Sequence, residues 1–224
     1  MIHYDYSPTQ LEKTAEQLLR KFDPERLTVP KPIEVYEVIE KCLDVPYDWK
    51  YLTPNQSVLG MTFFDDGWTW AWPEPYYEDG MLPFRVEEPK GTILIEETLT
   101  EEENRGRENF TVMHEVFHQV LPHKKCFSYG GADYAHCTTK KGLECRRKRS
   151  MTSLEICEYQ ANACAAAFLM PREAVTNQLR RYAGRKMLRL ADNKDYAIVK
   201  LLAVDFSVSV TAMKYRLLNL KLAV

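Results

Sequence analysis

The sequence predicts an α+β fold, in which a small twisted sheet packs on helices and a helical segment forms the C-terminal part. Runs rich in β-branched and aromatic residues occur between residues 59 and 95. Apolar residues at helical spacing fill much of the chain on either side of them. The 224 residues, 45% hydrophobic and 28% charged, suit one domain with a sizeable core, or one domain with a small appendage.

The composition argues against several classes of protein. A net charge of −2 gives no global attraction to nucleic acid or to a membrane. No apolar run approaches the ~20 residues of a transmembrane helix, and the N-terminus lacks the pattern of a signal peptide. The six cysteines do not form the framework of a small secreted domain. We therefore expect a reducing, cytoplasmic setting without a membrane partner.

The elements before the central region are predicted in order from their end signals. A capping box at Ser7 and Gln10 predicts a helix that runs to about Phe22. The prolines at positions 30 and 32 break the chain, and residues 33–43 are predicted to form a second helix.

Residues 59–72 are predicted to be extended, with a hairpin turn at Asp65-Asp66-Gly67. The tryptophans at 68, 70 and 72 alternate with other residues, which favours a half-buried sheet. An aromatic surface facing a substrate is the alternative. Residues 73–90 are rich in Pro, Tyr and acids and are predicted to be a loop, and residues 91–95 are predicted to be a short strand.

The next helix carries the most informative motif of the chain, His114-Glu115-Val116-Phe117-His118. Two histidines four positions apart lie on one face of a helix, so both imidazoles can reach one Zn²⁺ ion. Glu115 between them can act as the general base on a metal-bound water. An ordinary amphipathic helix with two surface histidines is the alternative, although two of only five histidines stand in this register.

The limits and the packing of this helix are predicted from its flanks. Thr100 and Glu103 have the spacing of a capping box at its start. An apolar stripe would pack on the core and leave the two histidines on its flank, facing a cleft. The stripe consists of Phe110, Met113, Phe117 and Leu121.

A catalytic zinc ion needs three protein ligands and one open position. A helix predicted from Thr152 to Met170 offers Glu155, Glu158 and Asn162 on one side. Glu155 already suits a capping box with Thr152, whereas Glu158 lies beside apolar residues, where an unpartnered carboxylate is costly. Glu158 is therefore the predicted third ligand, with Glu155 as the fallback. Asn162 could bond a histidine ring nitrogen, or it could be a surface residue.

Two longer segments resemble the ImmA/IrrE family of zinc metallopeptidases. They are residues 110–118, FTVMHEVFH, and residues 158–171, EYQANACAAAFLMP. The family writes the second segment roughly as E-x-x-A-N-x-F-A-A-x-L-L-M-P, and the similarity covers most of residues 30–220. The resemblance implies that His114, His118 and Glu158 bind the metal and that Glu115 is the catalytic base. The predicted fold is accordingly zincin-like.

The resemblance also implies a function, an intracellular endopeptidase that cleaves a DNA-binding repressor. Two features depart from the family pattern: Phe117 stands where the family usually has Gly, and the gap between His118 and Glu158 is longer than expected. An extended substrate could add to the edge of the strand at residues 91–95.

Residues 122–150 have no helical or strand period, so we predict a mobile insertion near the cleft that gates access or contacts the partner. Its basic run at 146–149 could touch nucleic acid or an acidic partner, or it could simply be solvated. Free thiols in a loop, or a structural zinc site, are alternatives for Cys126, Cys137 and Cys145 with His123 and His136.

These predictions give a metallopeptidase domain at residues 1–175, interrupted by the insertion, and a helical segment at 176–224 packed on it. The expected partner is a protein substrate, a transcriptional repressor. One alternative is a regulator-binding module that holds a structural metal and does not cut. Another is a DNA-binding regulator with a helix-turn-helix at residues 196–220. Its second helix has few basic residues, so direct nucleic-acid binding is not expected.

Overall fold

The computed structural model describes residues 6–75, 78–125, 134–138 and 151–224, with the backbone alone for 134–138. The chain divides into two compact units. One unit is formed by residues 43–162, and the other by residues 6–42 together with 163–224. The α+β class predicted from the sequence is confirmed. The predicted division at residue 175 stays a prediction.

Six strands are described, and they form two sheets. They are β1 (Tyr47–Lys50), β2 (Val58–Phe63), β3 (Gly67–Ala71), β4 (Phe84–Glu88), β5 (Ile93–Glu96) and β6 (Tyr134–Thr138). The larger sheet has the order β1-β5-β2-β6. In it β5 is parallel to β1, and β2 is antiparallel to both β5 and β6.

Strand β5 is central in this sheet, and all four of its residues are buried. The strand predicted at 91–95 is thus confirmed with a shift of one or two residues. The predicted addition of a substrate to its edge is wrong, because both edges of β5 already pair with other strands. Among the described strands, β1 and β6 are the outer ones.

Strands β3 and β4 form the smaller, antiparallel sheet. The loop predicted at residues 73–90 is therefore wrong in its last part, where Val86 pairs with Thr69. The hairpin turn at residues 65–67 is also wrong, because β2 and β3 belong to different sheets. A two-residue hairpin of the predicted kind needs positive φ angles, and none of these three residues has one.

The smaller sheet is half-buried, as the tryptophan pattern predicted, but Trp68 and Trp70 occupy its exposed face. Trp72 follows the end of β3, is partly buried and forms an isolated bridge with Tyr51. Trp68 and Trp70 are 43% and 50% exposed, whereas Thr69 and Ala71 between and beside them are buried. The two indole rings meet edge to face with centroids 5.5 Å apart, and the Arg85 guanidinium lies 4.9 Å from the Trp68 ring centroid. A cation in this position is attracted to the ring face.

Helix α3 spans Arg105–Val120 and follows α1 (Pro8–Phe22) and α2 (Val35–Val38). The capping box predicted at Thr100 is wrong. The Thr100 hydroxyl donates instead to the Glu97 carbonyl within a short 3₁₀ turn, and extended backbone at Glu101 separates that turn from α3. The side chain of the actual N-cap, Asn104, makes no capping bond.

Helix α3 is buried on more than the predicted stripe. Every residue from Thr111 to His118 is buried, including polar ones. Gly60 and Thr62 of β2 lie against the helix, while Met61 of the same strand joins the apolar cluster on the opposite side. The alternation of side chains along β2 thus separates an apolar layer from a polar one.

Helix α4 spans Ser153–Leu169, and the division between the two units falls within it, after Asn162. The predicted capping box at its start is confirmed. The Thr152 amide donates to Glu155 Oε2 at 2.9 Å, and the Glu155 amide donates to Thr152 Oγ1 at 3.2 Å. Glu155 is therefore occupied at the helix terminus, one turn before Glu158.

The second unit is helical. It contains α1, α2 and the C-terminal helices α5 (Arg172–Ala183), α6 (Asn193–Asp205) and α7 (Val210–Asn219). The predicted capping box of α1 is confirmed, as is the second helix, whose last part (Ile39–Leu43) has π geometry. Ser209 caps α7, since its side chain accepts from the Ala212 amide. Within the described residues no single helix is long and apolar enough to cross a membrane; α6 and α7 pass together by length and composition, but are bent by 107°.

Candidate metal centre

Helix α3 presents His114 and His118 on one face, as the spacing predicted. Both side chains are fully buried. Their Nε2 atoms lie 2.9 Å apart, and the two ring centroids are separated by 4.7 Å. One helical turn therefore brings two potential ligand nitrogens to the same point.

Helix α4 adds a carboxylate to this pair. Glu158 Oε2 lies 3.2 Å from His114 Nε2, and Glu158 Oε1 lies 3.6 Å from His118 Nε2. The Glu158 side chain is 19% exposed, whereas both histidines are buried completely. The three residues form a group whose ligand atoms all lie within 4.8 Å of one another, and we call it the metal cluster.

Each histidine of the metal cluster has an outer contact through its other ring nitrogen. His114 Nδ1 lies 3.0 Å from the Asn162 side-chain oxygen, the contact that the sequence suggested for Asn162. Because an amide oxygen only accepts, this contact puts the proton on Nδ1 and leaves the Nε2 lone pair to face the cluster. His118 Nδ1 lies 2.9 Å from His123 Nδ1.

Sequence reasoning placed His123 elsewhere and missed its partner. His123 Nε2 lies 3.1 Å from the Gln160 side-chain oxygen. Burial lowers the pKa of His123 to about 4, against the opposing effect of the bond to Gln160. Both ring nitrogens of His123 are thus engaged by His118 and Gln160. A glutamine on the buried, alanine-rich side of α4 signals that it needs a polar partner, but it does not indicate which residue that partner is.

The other elements of the predicted insertion fall mostly beyond the described residues. Cys126, Cys145 and the basic run at 146–149 lie outside them, and the side chains of His136 and Cys137 are not described. The backbone of residues 134–138 forms β6 and pairs with β2, so part of the long gap between His118 and Glu158 completes the sheet. The structural zinc site and the mobile insertion stay predictions.

The metal cluster fits a divalent metal ion by its donor set. A histidine nitrogen with an outer hydrogen-bond acceptor offers a lone pair, and a carboxylate offers a negative charge. Ligands about 2 Å from a tetrahedral metal are separated by roughly 3.3 Å. The three closest separations here, 2.9, 3.2 and 3.6 Å, lie around that value. Three acceptors that converge without a cation would repel one another.

Glu115 lies against β2 and is fully buried. The Thr62 hydroxyl donates to Glu115 Oε2 at 2.7 Å. Gly60 is the point of closest approach, since a Cβ atom there would lie 2.8 Å from Glu115 Cγ and from Oε1. Gly60 and Thr62 were missed from sequence, although their spacing of two places them on one face of a strand.

The comparison with protein families identifies the chain. The model of the family Peptidase_M78, described as the IrrE N-terminal-like domain, matches residues 79–218. The chain belongs to this family. The match spans 140 of 224 residues and includes both segments on which the sequence resemblance rested. No curated protein sequence matches the chain.

Membership in the Peptidase_M78 family agrees with the α+β, zincin-like fold and with a metallopeptidase-like site. It confirms the family resemblance seen in the sequence. The departure at Phe117, where the family usually has Gly, lies on the fully buried part of α3. The aromatic ring is accommodated in the core there.

Proposed function

We propose that the protein is a zinc-dependent endopeptidase in which His114, His118 and Glu158 hold the ion and Glu115 is the general base. The observation that carries the proposal is the convergence of two buried imidazoles and one carboxylate, with a buried glutamate next to His114 in the chain. The Peptidase_M78 family supports the reaction class.

Zinc is the ion that this donor set favours. Two nitrogens and one carboxylate oxygen, with a fourth position for water or substrate, are a ligand set of catalytic zinc sites. Harder ions such as Mg²⁺ and Ca²⁺ prefer oxygen ligands throughout. A bound zinc ion would polarise the substrate carbonyl and lower the pKa of a bound water.

The protein's own contribution to the reaction is the handling of the proton. The Glu115 carboxylate would take a proton from the attacking water and pass it to the leaving amine. Thr62 holds Oε2 of this carboxylate by a short hydrogen bond, which restricts its rotation. Exclusion of bulk water follows from the burial of His114, Glu115 and His118.

The proposed substrate is a protein, a DNA-binding repressor by the family resemblance, cut inside the cell. An extended substrate segment would add to an outer strand, because β5 is paired on both edges. Of the described strands, β6 is the outer one that pairs with β2, the strand that contacts Glu115.

Two alternatives differ in how the structure bears on them. The exposed Trp68 and Trp70 offer an aromatic contact surface, which a module that binds a regulator without cutting it would also need. The DNA-binding alternative is weakened by Arg216 of α7. This residue is 5% exposed and bonded to Glu12 and to the Met170 carbonyl, so it is not available to phosphates.

The test replaces the base without removing the metal ligands. Glu115→Gln keeps the size of the side chain but is a far poorer proton acceptor. We expect it to fold and bind zinc, yet to cleave a candidate repressor at least ~100-fold more slowly than the parent. The matched control is Glu103→Gln, the same change at an exposed position before α3, which should cleave normally.

Equal cleavage by Glu115→Gln and the parent would contradict the catalytic role of Glu115. A parent protein that binds a repressor tightly, holds zinc and cuts nothing would favour the regulator-binding module. Binding is followed by gel filtration of the mixture, and cleavage by gel electrophoresis.

A further inference from the structure

His123 is enclosed between the metal cluster and α4. Its side chain is almost fully buried, and each ring nitrogen lies within hydrogen-bond distance of one neighbour. Nδ1 faces His118 Nδ1 at 2.9 Å, and Nε2 faces Gln160 Oε1 at 3.1 Å. His118, His123 and Gln160 therefore form a continuous chain of hydrogen-bonding groups, which we call the relay.

The hydrogens of the relay have one arrangement that leaves His118 able to bind a metal. The Gln160 oxygen has no hydrogen, so His123 must donate to it from Nε2. A neutral His123 ring then carries a lone pair on Nδ1 and accepts there from His118. His118 is thereby protonated on Nδ1, and its Nε2 lone pair faces His114 and Glu158.

Each other arrangement would place a hydrogen in the metal cluster. If the Gln160 amide were reversed and donated to His123, the proton of His123 would sit on Nδ1 and point at His118. A doubly protonated His123 would do the same. In both cases His118 would accept on Nδ1 and carry its own hydrogen on Nε2, where the ligand lone pair is required.

We infer that His123 and Gln160 are positioning residues, which set the tautomer and ring orientation of His118 so that Nε2 is offered to the metal. This inference rests on the metal-binding part of the proposed function. The two histidines differ in this respect. His114 contacts its acceptor, Asn162, directly, whereas His118 reaches the Gln160 amide oxygen through a second imidazole.

The first experiment measures zinc affinity of the full chain by competition with a chromophoric chelator. His123→Phe keeps a ring of similar size without nitrogens, and Gln160→Met removes the acceptor. Both should weaken zinc binding about 10–100-fold, the usual cost of losing such an outer partner. His123→Asn and Gln160→Glu supply an acceptor again and should restore the affinity to within roughly threefold of the parent.

Gln119→Met is the matched control. Gln119 lies on the same helix as His118 and donates to the Gly91 carbonyl, so the variant loses an amide hydrogen bond outside the relay. Its zinc affinity should equal that of the parent. Melting temperatures of all variants without metal show whether any loss of affinity is a loss of folding, in which case the two acceptor-restoring variants decide the question.

The second experiment reads the tautomers directly, without zinc and without substrate. Ring ¹⁵N chemical shifts should show His118 with its proton on Nδ1 in the parent and a mixture of tautomers in Gln160→Met. A His118 proton on Nε2 in the parent, or the same tautomer in both proteins, would overturn the inference. So would equal zinc affinity of the parent, His123→Phe and Gln160→Met.

These outcomes separate the inference from the proposed function. If the parent and the relay variants bind zinc equally well, the inference about the relay is wrong, but the metal site stands. If the parent binds no zinc, both the inference about the relay and the proposed metal site are wrong. If zinc binding depends on the relay but the protein cleaves no repressor, the inference about the relay holds and the proposed endopeptidase activity does not.

Discussion

Each unit of the chain contains a buried polar cluster, and the two clusters differ in whether every hydrogen-bond acceptor faces a donor. In the helical unit, the Arg216 guanidinium donates to both oxygens of Glu12 and to the Met170 carbonyl. In the other unit, the metal cluster brings two imidazole nitrogens and a carboxylate together. The first cluster joins donors to acceptors, and the second joins acceptors to acceptors.

The difference gives a physical criterion for telling a structural cluster from a binding site. A buried cation with a bidentate carboxylate is complete in itself, and removing either partner is costly. Converging acceptors, by contrast, gain from a cation supplied from outside. Both clusters consist of side chains from helices that pack together. The type of secondary structure therefore does not show which cluster is structural and which is a binding site.

The largest expected effect breaks the structural cluster. Arg216→Met should lower the free energy of unfolding by about 3–5 kcal/mol, because it leaves the mostly buried Glu12 carboxylate without its cation. Denaturant unfolding of the purified chain measures this. Arg180→Met, at an exposed position of α5, is the control and should change stability by less than about 0.5 kcal/mol.

A loss below about 1 kcal/mol in Arg216→Met would contradict the structural role. The double variant Glu12→Leu with Arg216→Met sharpens the result. It leaves no uncompensated charge, so it should be more stable than Arg216→Met alone.

The next prediction compares two glutamates of α4, Glu155 in the capping box and Glu158 in the metal cluster. Zinc at about 100 times its dissociation constant should raise the free energy of unfolding of the parent by roughly 2.7 kcal/mol. Glu155→Ala should keep this gain and lose about 1 kcal/mol of stability with or without zinc, since it loses only the capping box. Glu158→Ala should lose the gain.

Thermal or urea unfolding with zinc and with a chelator measures both variants. Full zinc stabilisation of Glu158→Ala would refute its role as a ligand. Loss of that stabilisation in Glu155→Ala would instead move the ligand role to Glu155.

Much of the fold followed from the sequence where the signal was local. The capping boxes at Ser7 and Thr152 are formed by residues three apart, and both were correctly predicted. Most of the errors in the sheets concern partners distant in the chain. The pairing of β3 with β4, and of β5 with strands on both edges, is decided by residues that no local pattern connects. Thr100 fitted a capping pattern, but its hydroxyl bonds the Glu97 carbonyl within a separate turn.

The same distinction applies to the candidate site. His114 and His118 are linked by helical periodicity, and Glu158 was found because a carboxylate on an apolar helix face needs a partner. Gly60 and Thr62 were missed because their role depends on the packing of β2 against α3. The relay through His123 was missed because a histidine in a turn and a glutamine on a helix, 37 positions apart, give no joint pattern.

A smaller effect is expected at the contact between β2 and Glu115. Thr62→Val keeps the shape of the side chain and removes the hydroxyl that donates to Glu115 Oε2. If Glu115 is the base, kcat/KM for repressor cleavage should fall about tenfold with zinc affinity unchanged, since the carboxylate loses one fixed hydrogen bond. The control is Thr69→Val, the same change at a buried threonine of the other sheet. A fall in zinc affinity in Thr62→Val would show that Thr62 supports the metal cluster itself.

The smallest expected effect concerns a third buried acidic residue, which resembles neither of the two clusters in its partners. Glu96 of β5 is fully buried and accepts from the Leu52 amide at 2.8 Å and from the Thr98 hydroxyl at 3.2 Å, so its donors are neutral. Burial raises the pKa of Glu96 above its ordinary value, and the bonds from Leu52 and Thr98 oppose the shift. Unlike Glu12, it contacts neither a bidentate cation nor converging acceptors within the part of the chain that the structure describes.

The sign of the pH effect follows from the raised pKa. The native protein binds the Glu96 proton more tightly than the unfolded chain does, so this residue favours folding below the ordinary pKa of about 4.5 and loses that contribution as the pH rises through the raised value. Glu96→Gln is uncharged at every pH. Its stability relative to the parent should therefore increase from pH 4 to pH 7, measured by denaturant unfolding at each pH. Glu87→Gln, at an exposed position of β4, is the control and should show no such trend. A pH-independent difference between Glu96→Gln and the parent would mean that the two neutral donors compensate the burial of this carboxylate completely, and that a buried charge in this fold needs neither a cation nor a metal.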